Sequence, residues 1–567
     1  MSIRDKEKFV VIGIDFGTTY SGFTYAFSEE EKVYDYKEWD DSSILYAKTK
    51  TQLLYINGKP EYWGHTAVIE DANRHDSQAE IYRIFNFKMQ LSQQYYQYPG
   101  IPEKKFLVID LVSEYLKFIK DKALEIVRDK TIDDNIEDRI IWCLTVPSIW
   151  TDEQKNKMRT AAIKAGMISN SDDDYHKLIL VYEPEAAAVY CRQKGSVGLD
   201  ENDCYMIVDC GGGTVDITTR VVNKKNDLLV LNAIQGVTVD GGPYGSTYVD
   251  KKFMTFLSEK ITPKALDDFH ERYPREFLHI YQQWEKDKII LNLADFKNGT
   301  AFRYPDTLRN FLKKTYPNIF EEIVESEGSD TTITIEGNEL AGFFTESLNG
   351  LVDKVEKQFQ KLKDANRKCD YIILVGGYSN CPLLKETIQK KFSSKVKKII
   401  QDSNPGAAVV EGATWLGLNP NLNATRTSNL TYGVDCLDFF KSGDPEAKKI
   451  KILGKPDYCD DILLTFVKAG ELVEIDKAVY HNLSSINPDQ TVLLFKFYST
   501  KETNVRHINS QMTLHGDKKF TREDAAKGKN WTMRITMYFG RSEIEVVIED
   551  MTTHEIKRLK LDFRCTF

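Results

Sequence analysis

The stretch FVVIGIDFGTTYSGFTYAF, residues 9–27, holds two apolar runs separated by a short polar segment. Residues 10–14 are largely β-branched and predict a buried strand, and residues 22–27 predict a second strand that folds back on the first. The polar residues between them then form the tip of a β-hairpin. This tip carries a carboxylate, a glycine and two adjacent hydroxyls.

The residues at this tip suit a bound phosphate. Gly17 lets the backbone turn tightly and approach a ligand, and the amides and hydroxyls of Thr18, Thr19 and Tyr20 can donate hydrogen bonds to an anion. Asp15 would repel a bare phosphate but could hold a hydrated Mg²⁺ that bridges to it. An ordinary hairpin with a hydroxyl-rich turn explains the same residues, because short motifs of this kind often arise by chance.

A second stretch, YMIVDCGGGTVDITTRVV at residues 205–222, repeats the plan of strand, aspartate, glycine turn, threonine and strand. Its polar and glycine positions are Asp209, Gly211, Gly212, Gly213, Thr214 and Asp216. Two copies indicate a duplicated domain, and two such hairpins that face each other would hold one polyphosphate from both sides. Three glycines are costly in a plain sheet hairpin, which favours a binding role. The sequence contains no G-x-x-x-x-G-K-[ST] motif, so a P-loop is excluded.

Two glycine pairs further along the chain follow predicted strands. The pairs are Gly241 with Gly242 and Gly376 with Gly377. Ser246 is expected to cap a helix after the first pair, and Pro382 is expected in the first turn of a helix after the second. Each pair could bring backbone close to a ligand, or could be a simple connecting turn.

Composition sets the class of protein. The chain has 567 residues, of which 41% are hydrophobic and 28% charged, so we expect a globular protein of two or more domains. The net charge is -9 and there is no basic block, which argues against nucleic acid as the main partner. No signal peptide or membrane-spanning run is evident, and the nine cysteines lack paired spacing. These features predict a cytoplasmic protein with reduced thiols.

The C-terminal part has a different pattern. Between residues 531 and 539 apolar and polar residues alternate, which predicts antiparallel strands with one buried face. We therefore expect a β-rich domain over residues 428–567, after a polar stretch rich in Asn and Thr.

The motifs together resemble a known family. The segments IGIDFGTTYSG, VYEPEAAAVY, IVDCGGGTVDI, GGPYGSTYVD and ILVGGYSNCPLL are similar to motifs of the ATPase domain of the heat-shock 70 kDa chaperones, which belong to the superfamily of actin and the sugar kinases. The resemblance covers residues 8–420 and is greatest to the divergent branch called heat shock 70 kDa proteins 12A and 12B.

The resemblance implies an α/β nucleotide-binding domain over residues 1–420, with two lobes built on mixed sheets and the nucleotide in the cleft between them. Lobe I would comprise residues 8–204 and 400–420, and lobe II residues 205–399. The all-β domain that follows would resemble a sandwich-like substrate-binding domain without a helical lid.

The resemblance also assigns roles to residues. Asp15 and Asp209 would hold hydrated Mg²⁺, and the hydroxyls and glycine turn of the two hairpins would bind the β- and γ-phosphates. Asp216 would help to bind a monovalent cation such as K⁺, or a divalent one. Glu183 would order metal-bound or attacking water from the opposite wall; the alternative is a carboxylate placed at a helix start by the helix dipole.

Lys88 matches the family lysine that orients the attacking water. If the segment EIYRIFNFKMQL is helical, Lys88 shares a face with Ile81, Ile84 and Phe85. A lysine in such an apolar stripe needs a buried anion, or else extends its ammonium to solvent.

The adenine end departs from the family pattern. Glu285 and Lys288 match the ribose and adenine contacts, although a surface ion pair explains the same spacing. Ile289 and Asn380 stand where the family has two arginines that enclose the base, and Tyr378 replaces a serine. We therefore expect weaker base binding than in typical members.

The resulting functional hypothesis is an ATP-binding and ATP-hydrolysing chaperone-like protein whose domains move with nucleotide state. ATP or ADP, Mg²⁺ and K⁺ are the expected cofactors, and an unfolded peptide or protein is the expected client. Two alternatives stay open: a scaffold that holds ATP without hydrolysing it, and a sugar or metabolite kinase, which would need a second substrate pocket.

Overall fold

The computed structural model describes residues 8–30, 32–40, 46–73, 79–97, 105–131, 135–171, 174–194, 200–225, 228–401, 404–422, 425–474, 478–487, 489–521, 531–539 and 544–560. None of the helices within these ranges is both long and apolar enough to cross a membrane.

The described residues form thirteen α-helices and thirty strands. The helices are α1 (Gly64–Asn73), α2 (Val108–Arg128), α3 (Asp152–Lys164), α4 (Glu183–Gln193), α5 (Thr247–Ile261), α6 (Pro263–Arg272), α7 (Pro274–Ile290), α8 (Asp295–Asn298), α9 (Asp306–Thr315), α10 (Pro317–Glu327), α11 (Gly337–Asp364), α12 (Pro382–Phe392) and α13 (Ala408–Leu418). The first fifteen strands are β1 (Val10–Phe16), β2 (Tyr20–Phe27), β3 (Tyr34–Asp35), β4 (Thr49–Lys50), β5 (Gln52–Ile56), β6 (Lys59–Trp63), β7 (Ile81–Phe85), β8 (Tyr95–Gln97), β9 (Lys105–Leu107), β10 (Ile140–Val146), β11 (Leu178–Tyr182), β12 (Cys204–Cys210), β13 (Val215–Lys225), β14 (Leu228–Asn232) and β15 (Asp240–Gly242). The remaining strands are β16 (Thr300–Arg303), β17 (Thr332–Ile335), β18 (Tyr371–Val375), β19 (Lys398–Gln401), β20 (Thr425–Thr427), β21 (Thr431–Phe439), β22 (Lys449–Ile450), β23 (Tyr458–Val467), β24 (Leu472–Glu474), β25 (Ala478–Ser484), β26 (Val492–Thr500), β27 (Thr513–Thr521), β28 (Thr532–Tyr538), β29 (Glu545–Asp550) and β30 (Ile556–Lys560).

The first large sheet is built around β1. Its strand order is β11-β10-β1-β2-β3, and β4 pairs with the other end of β2. β1 is buried along its whole length, as a continuous apolar strand in the centre of a sheet should be, and runs antiparallel to β2 and parallel to β10. The predicted hairpin is therefore present, with Asp15 paired to Gly22 near its tip.

The second large sheet repeats this arrangement around β12. Its order is β14-β13-β12-β18-β19, and β15 pairs with β13. β12 runs antiparallel to β13 and parallel to β18, just as β1 does to β2 and β10. In the β12–β13 hairpin Asp209 lies opposite Asp216, so the two sheets present equivalent tips.

A shared layer of side chains and helices connects the two large sheets. Val11 of β1, Ala187 of α4, Ile207 of β12 and Ala413 of α13 belong to one buried apolar cluster. A Cβ on Gly412 would lie 1.8 Å from the carbonyl oxygen of Ala186, so α13 and α4 pack with their backbones in contact. This close packing fixes the position of one sheet relative to the other.

The C-terminal strands form two further sheets. The orders are β22-β23-β21-β26-β27 and β25-β28-β29-β30, and β20 pairs with β24. Met533, Ile535 and Met537 are fully buried, and they share one core with Val434 and Phe497 of the five-stranded sheet. The alternation read from residues 531–539 is thus an inward and outward alternation along β28.

The mixed sheets and helices agree with the α/β class and with an actin-like ATPase fold. The proposed lobe limits, the domain limit between residues 420 and 428 and the peptide-binding nature of the β region stay predictions of the sequence.

Candidate functional site

A cavity of about 530 Å³ lies between the two hairpin tips, within the size range of small-molecule sites. Most of the predicted site residues line it. These are Asp15, Gly17, Thr18, Thr19, Tyr20, Lys88, Glu183, Asp209, Gly211, Gly212, Gly213, Thr214, Glu285, Lys288, Gly376, Gly377 and Tyr378. The sequence motifs therefore converge on one cleft.

The two hairpin tips face each other closely. A Cβ built on Gly212 would lie 2.1 Å from the Thr19 hydroxyl oxygen, and one on Gly213 would lie 2.7 Å from that of Thr18. A side chain at either position would require the opposing threonine to rotate or its hairpin to move. The consecutive glycines are thus explained by the approach of the threonines as well as by a ligand.

The glycine turn of the second hairpin is held from behind. The carbonyl oxygens of Gly211, Gly212 and Gly213 accept hydrogen bonds from the amides of residues 245–247, and the Thr247 hydroxyl also donates to Gly212 at 2.9 Å. Because the N–H of a trans peptide points away from its C=O, the amides of residues 212–214 are directed to the opposite side. Successive amides of this kind form a cradle for an anion.

Four carboxylates lie close to one another behind the two tips: Asp15, Glu183, Asp209 and Asp216. Burial, reinforced by the charges of Glu183 and Asp216, raises the pKa of Asp209 well above its ordinary value. Burial likewise raises the pKa of Asp216, against the hydrogen bond that Ser148 donates at 2.9 Å. Such a crowded group of oxygen ligands suits a hard divalent cation such as Mg²⁺.

Lys88 forms an ion pair inside this group. Its Nζ lies 2.6 Å from Glu183 Oε1, and both side chains are buried. Burial raises the pKa of Glu183 to about 7 even though Lys88 opposes the change. The buried anion that the sequence required for Lys88 is therefore Glu183.

The helical interpretation of the Lys88 segment is wrong. Residues Ile81–Phe85 form β7, which pairs with β5, and Lys88 lies in a short 3-10 helix, Phe87–Gln90. Asn86 between them has a left-handed backbone with φ of 56°. Ile81, Ile84 and Phe85 have helix-like spacing but belong to an edge strand. The chain then turns at Asn86, and this turn brings Lys88 into the interior.

Three predicted residues do not line the cavity. Gly241 and Gly242 are in β15, where they pair with Asp216 and Val215 of β13, so the pair lies behind the second tip. Asp216 is buried at 1% exposure and reaches the site through its charge. Ser246 directly precedes α5, but its side chain makes no capping hydrogen bond, unlike the prediction.

The second glycine pair lies against the carboxylate cluster of the cleft. Gly376 has φ of 82°, and a Cβ there would lie 2.4 Å from Asp209 Oδ1. It therefore permits β18 to end directly against this carboxylate. Pro382 is the first residue of α12, as predicted, and Tyr378 is largely buried in the core beneath.

At the other end of the cleft, Glu285 and Lys288 share a face of α7. Both Glu285 oxygens lie 2.6 Å from Lys50 Nζ, and Lys288 Nζ lies 2.6 Å from Asp250 Oδ1. They are thus neither a pair with each other nor a surface pair. Ile289 and Asn380 also line the cavity, in the places where the family arginines were expected.

Sequence reasoning missed a cationic segment, residues 46–50, which ends in β4 at the edge of the first sheet. Tyr46, Lys48 and Lys50 alternate along the chain, and all three line the cavity. Lys48 Nζ lies 2.5 Å from Asp15 Oδ2. The alternation in YAKTK was the available signal, but two lysines around a threonine also describe an exposed edge strand.

The geometry and comparisons with known proteins agree. Two sheets of equivalent topology, with facing phosphate-type hairpins over a carboxylate cluster, define an actin-like nucleotide-binding fold. The family described as "Hsp70 protein" matches residues 102–424. The chain belongs to the Hsp70 family.

Within the family the chain is similar to the 12A and 12B branch. It is 26% identical to heat shock 70 kDa protein 12A of Mus musculus, over 98% of this chain and 91% of that protein. It is 24% identical to heat shock 70 kDa protein 12B of Homo sapiens, over the same shares. The Chaperone protein HscA homolog of Rickettsia africae (strain ESF-5) is 23% identical over 76% of this chain and 60% of that protein.

Proposed function

We propose that the protein binds ATP with Mg²⁺ in the cleft between the two hairpins, hydrolyses it and couples nucleotide state to domain motion in a chaperone-like role. The observation that carries this proposal is the facing pair of tips, in which Thr18 and Thr19 meet the glycine turn over four buried carboxylates. Family membership and the relation to a protein named as a chaperone support it.

The residues present fit a divalent cation. Asp15, Asp209 and Asp216 offer carboxylate oxygens. The pKa values of Asp209 and Asp216 are raised, as expected for clustered carboxylates that a bound cation would compensate. When bound, Mg²⁺ would supply charge neutralisation to the β- and γ-phosphates. Asp209 would hold it most directly, since Asp209 lines the cavity and Asp216 lies behind.

The chain's own groups would then position the phosphates and the water. The amides of residues 212–214 and the hydroxyls of Thr18 and Thr19 donate to phosphate oxygens from two sides. Glu183 accepts a hydrogen bond from Lys88 and lines the cavity. From there it would orient water for in-line attack on the γ-phosphate. Lys88 would offset the negative charge that develops during transfer.

Glu285 and Lys288 would contact the ribose and base, with Ile289 offering an apolar surface. The Lys50 to Glu285 ion pair crosses the cleft from β4 to α7. A bound nucleotide that breaks or lengthens this ion pair would change the distance between β4 and α7. Such a change could couple nucleotide binding to domain motion. A protein client at the C-terminal sheets and a cytoplasmic location stay predictions.

Binding and turnover are tested by separate measurements on the full chain. Calorimetric titration with ATP and Mg²⁺ tests binding, and single-turnover release of labelled γ-phosphate tests hydrolysis. We expect both in the wild type, and Lys88→Met should keep binding while it slows hydrolysis about 100-fold or more. Tight binding without phosphate release in the wild type would instead favour the nucleotide-holding scaffold. The absence of any ATP binding would refute the proposal.

A further inference from the structure

The cationic segment places an ammonium at the phosphate end of the cleft. Tyr46, Lys48 and Lys50 all line the cavity, and Thr49 and Lys50 form β4. Lys50 reaches Glu285 at the nucleoside end, whereas Lys48 reaches Asp15 at the phosphate end. The two lysines therefore serve opposite ends of one site.

The position of Lys48 is fixed by the sheet. β4 pairs with β2 through Tyr20 to Lys50 and Ser21 to Thr49. A Cβ on Gly22 would lie 2.2 Å from the carbonyl oxygen of Ala47 and 3.0 Å from Lys48 Cγ, so the chain rests directly on this glycine. Gly22 is also the strand partner of Asp15. Lys48 is therefore held beside Asp15 by backbone contacts and not only by charge.

Both oxygens of Asp15 already have protein donors. Oδ2 accepts from Lys48 Nζ at 2.5 Å, and Oδ1 accepts from the Thr145 hydroxyl at 3.0 Å. Asp15 is thus paired with a lysine within the chain.

The Lys48 side chain is largely buried beside this carboxylate, at 12% exposure. An ammonium has three N–H donors, and among the described residues Asp15 is the one hydrogen-bond acceptor that Lys48 uses. The other donors can serve an oxyanion in the cavity that Lys48 lines.

We propose that Lys48 is a positioning residue whose ammonium bridges Asp15 and the terminal phosphates of the bound nucleotide, in the place of a free monovalent cation. This inference rests on the proposed ATP binding. The ammonium is a fixed positive charge between a carboxylate and a phosphate that would otherwise repel each other. Asp216, to which the resemblance assigned K⁺, does not line the cavity. It follows that ATP affinity does not require K⁺, and Mg²⁺ remains the only free cation that the phosphates need.

The test is calorimetric titration of the full chain with ATP and Mg²⁺ in two buffers of equal ionic strength, one with K⁺ and one with tetramethylammonium, which is too large to enter between carboxylate and phosphate. We expect the wild-type dissociation constant to differ less than about twofold between buffers. Lys48→Met should lose affinity at least about tenfold in tetramethylammonium, which corresponds to about 1.4 kcal/mol, and K⁺ should restore part of it.

Controls separate this role from a structural one. Lys50→Met removes the same charge two residues along the chain, and its affinity should not depend on K⁺. Adenosine has no phosphates, so its affinity should be equal in the wild type and in Lys48→Met. Lys48→Arg keeps the positive charge and should keep the insensitivity to K⁺.

Two results overturn the inference. One is a tenfold or greater loss of wild-type ATP affinity when K⁺ is absent. This measurement uses no variant, so it tests the inference even if Lys48→Met does not fold. The other is a folded Lys48→Met that binds ATP like the wild type in both buffers. Either leaves ATP binding itself intact, whereas a wild type that binds no ATP in either buffer refutes the proposed function as well.

Discussion

Replacement of Gly212 by alanine tests the contact between the two hairpins. The added Cβ would lie 2.1 Å from the Thr19 hydroxyl oxygen and 2.9 Å from its Cγ2, where an ordinary contact is about 3.5 Å. Either the tips separate or Thr19 rotates its hydroxyl away from the cleft. Overpacking of this kind costs about 1–3 kcal/mol. If the cost falls on the closed, ligand-binding arrangement, ATP affinity should drop about 5-fold to 150-fold.

The assay is titration calorimetry on Gly212→Ala, Thr19→Ala and the double variant, with thermal unfolding to confirm that each is folded. Thr19→Ala removes the two nearest clashing atoms and leaves the Thr19 Cβ 3.1 Å away. The double variant should therefore bind ATP better than the sum of the single losses predicts.

Gly342→Ala is the matched control, because Gly342 is in α11 with no atom within 4 Å of its added Cβ. It should leave ATP affinity unchanged and stabilise the helix by up to about 1 kcal/mol. Wild-type affinity in Gly212→Ala would refute the facing-hairpin account. So would strictly additive losses in the double variant, since the two residues would then act independently.

Three further predictions concern other parts of the molecule. The double variant Ile289→Arg, Asn380→Arg should bind ATP more tightly and prefer ATP over GTP more strongly, because each guanidinium stacked on a base contributes about 0.5–2 kcal/mol. If calorimetry shows no change in affinity for either nucleotide, the assignment of Glu285 as a nucleoside contact is refuted. Glu185→Gln should lower the free energy of unfolding by about 3–5 kcal/mol, since Glu185 is the buried partner of two arginines, and a urea midpoint equal to that of the wild type would contradict this. Arg506 holds the pKa of Asp444 below its ordinary value, so the pair stabilises the fold fully above the unfolded pKa of about 3.9, and this stabilisation is lost as pH falls through the lower folded pKa. Arg506→Leu should therefore have a lower denaturation midpoint than the wild type at pH 7, and the difference in midpoint should be smaller near pH 2. An equal difference at both pH values would contradict this prediction.

The sequence predicted the hairpins because their information is local. β1 and β12 are largely apolar strands with an aspartate as the penultimate residue, and each is followed at once by a glycine turn and hydroxyls. A strand end fixes where its next residues project, so Asp15 and Asp209 could be placed at the tips before any tertiary contact was known. The alternation along β28 was equally readable, because one face of that strand is buried.

What the sequence did not show depends on contacts between distant segments. Lys48 meets Asp15 because residues 47 and 48, just before β4, rest on Gly22, and nothing in YAKTK distinguishes this from an exposed edge strand. The sequence predicts a buried anion for Lys88, which is Glu183, but it wrongly predicts a helix there. Residues 81–85 form a strand because they pair with β5, and their apolar spacing does not show this pairing. Gly241 likewise pairs with Asp216 in the sheet, so a glycine pair that suggested a ligand contact lies behind the tip.

A crystal structure of the full chain with a non-hydrolysable ATP analogue and Mg²⁺ tests the central claim most directly. The account predicts phosphates between Thr19 and the amides of residues 212–214, Mg²⁺ beside Asp209 and the base near Ile289. A nucleotide bound elsewhere, or a cleft that stays empty at saturating analogue while the two tips keep their contact, would contradict it.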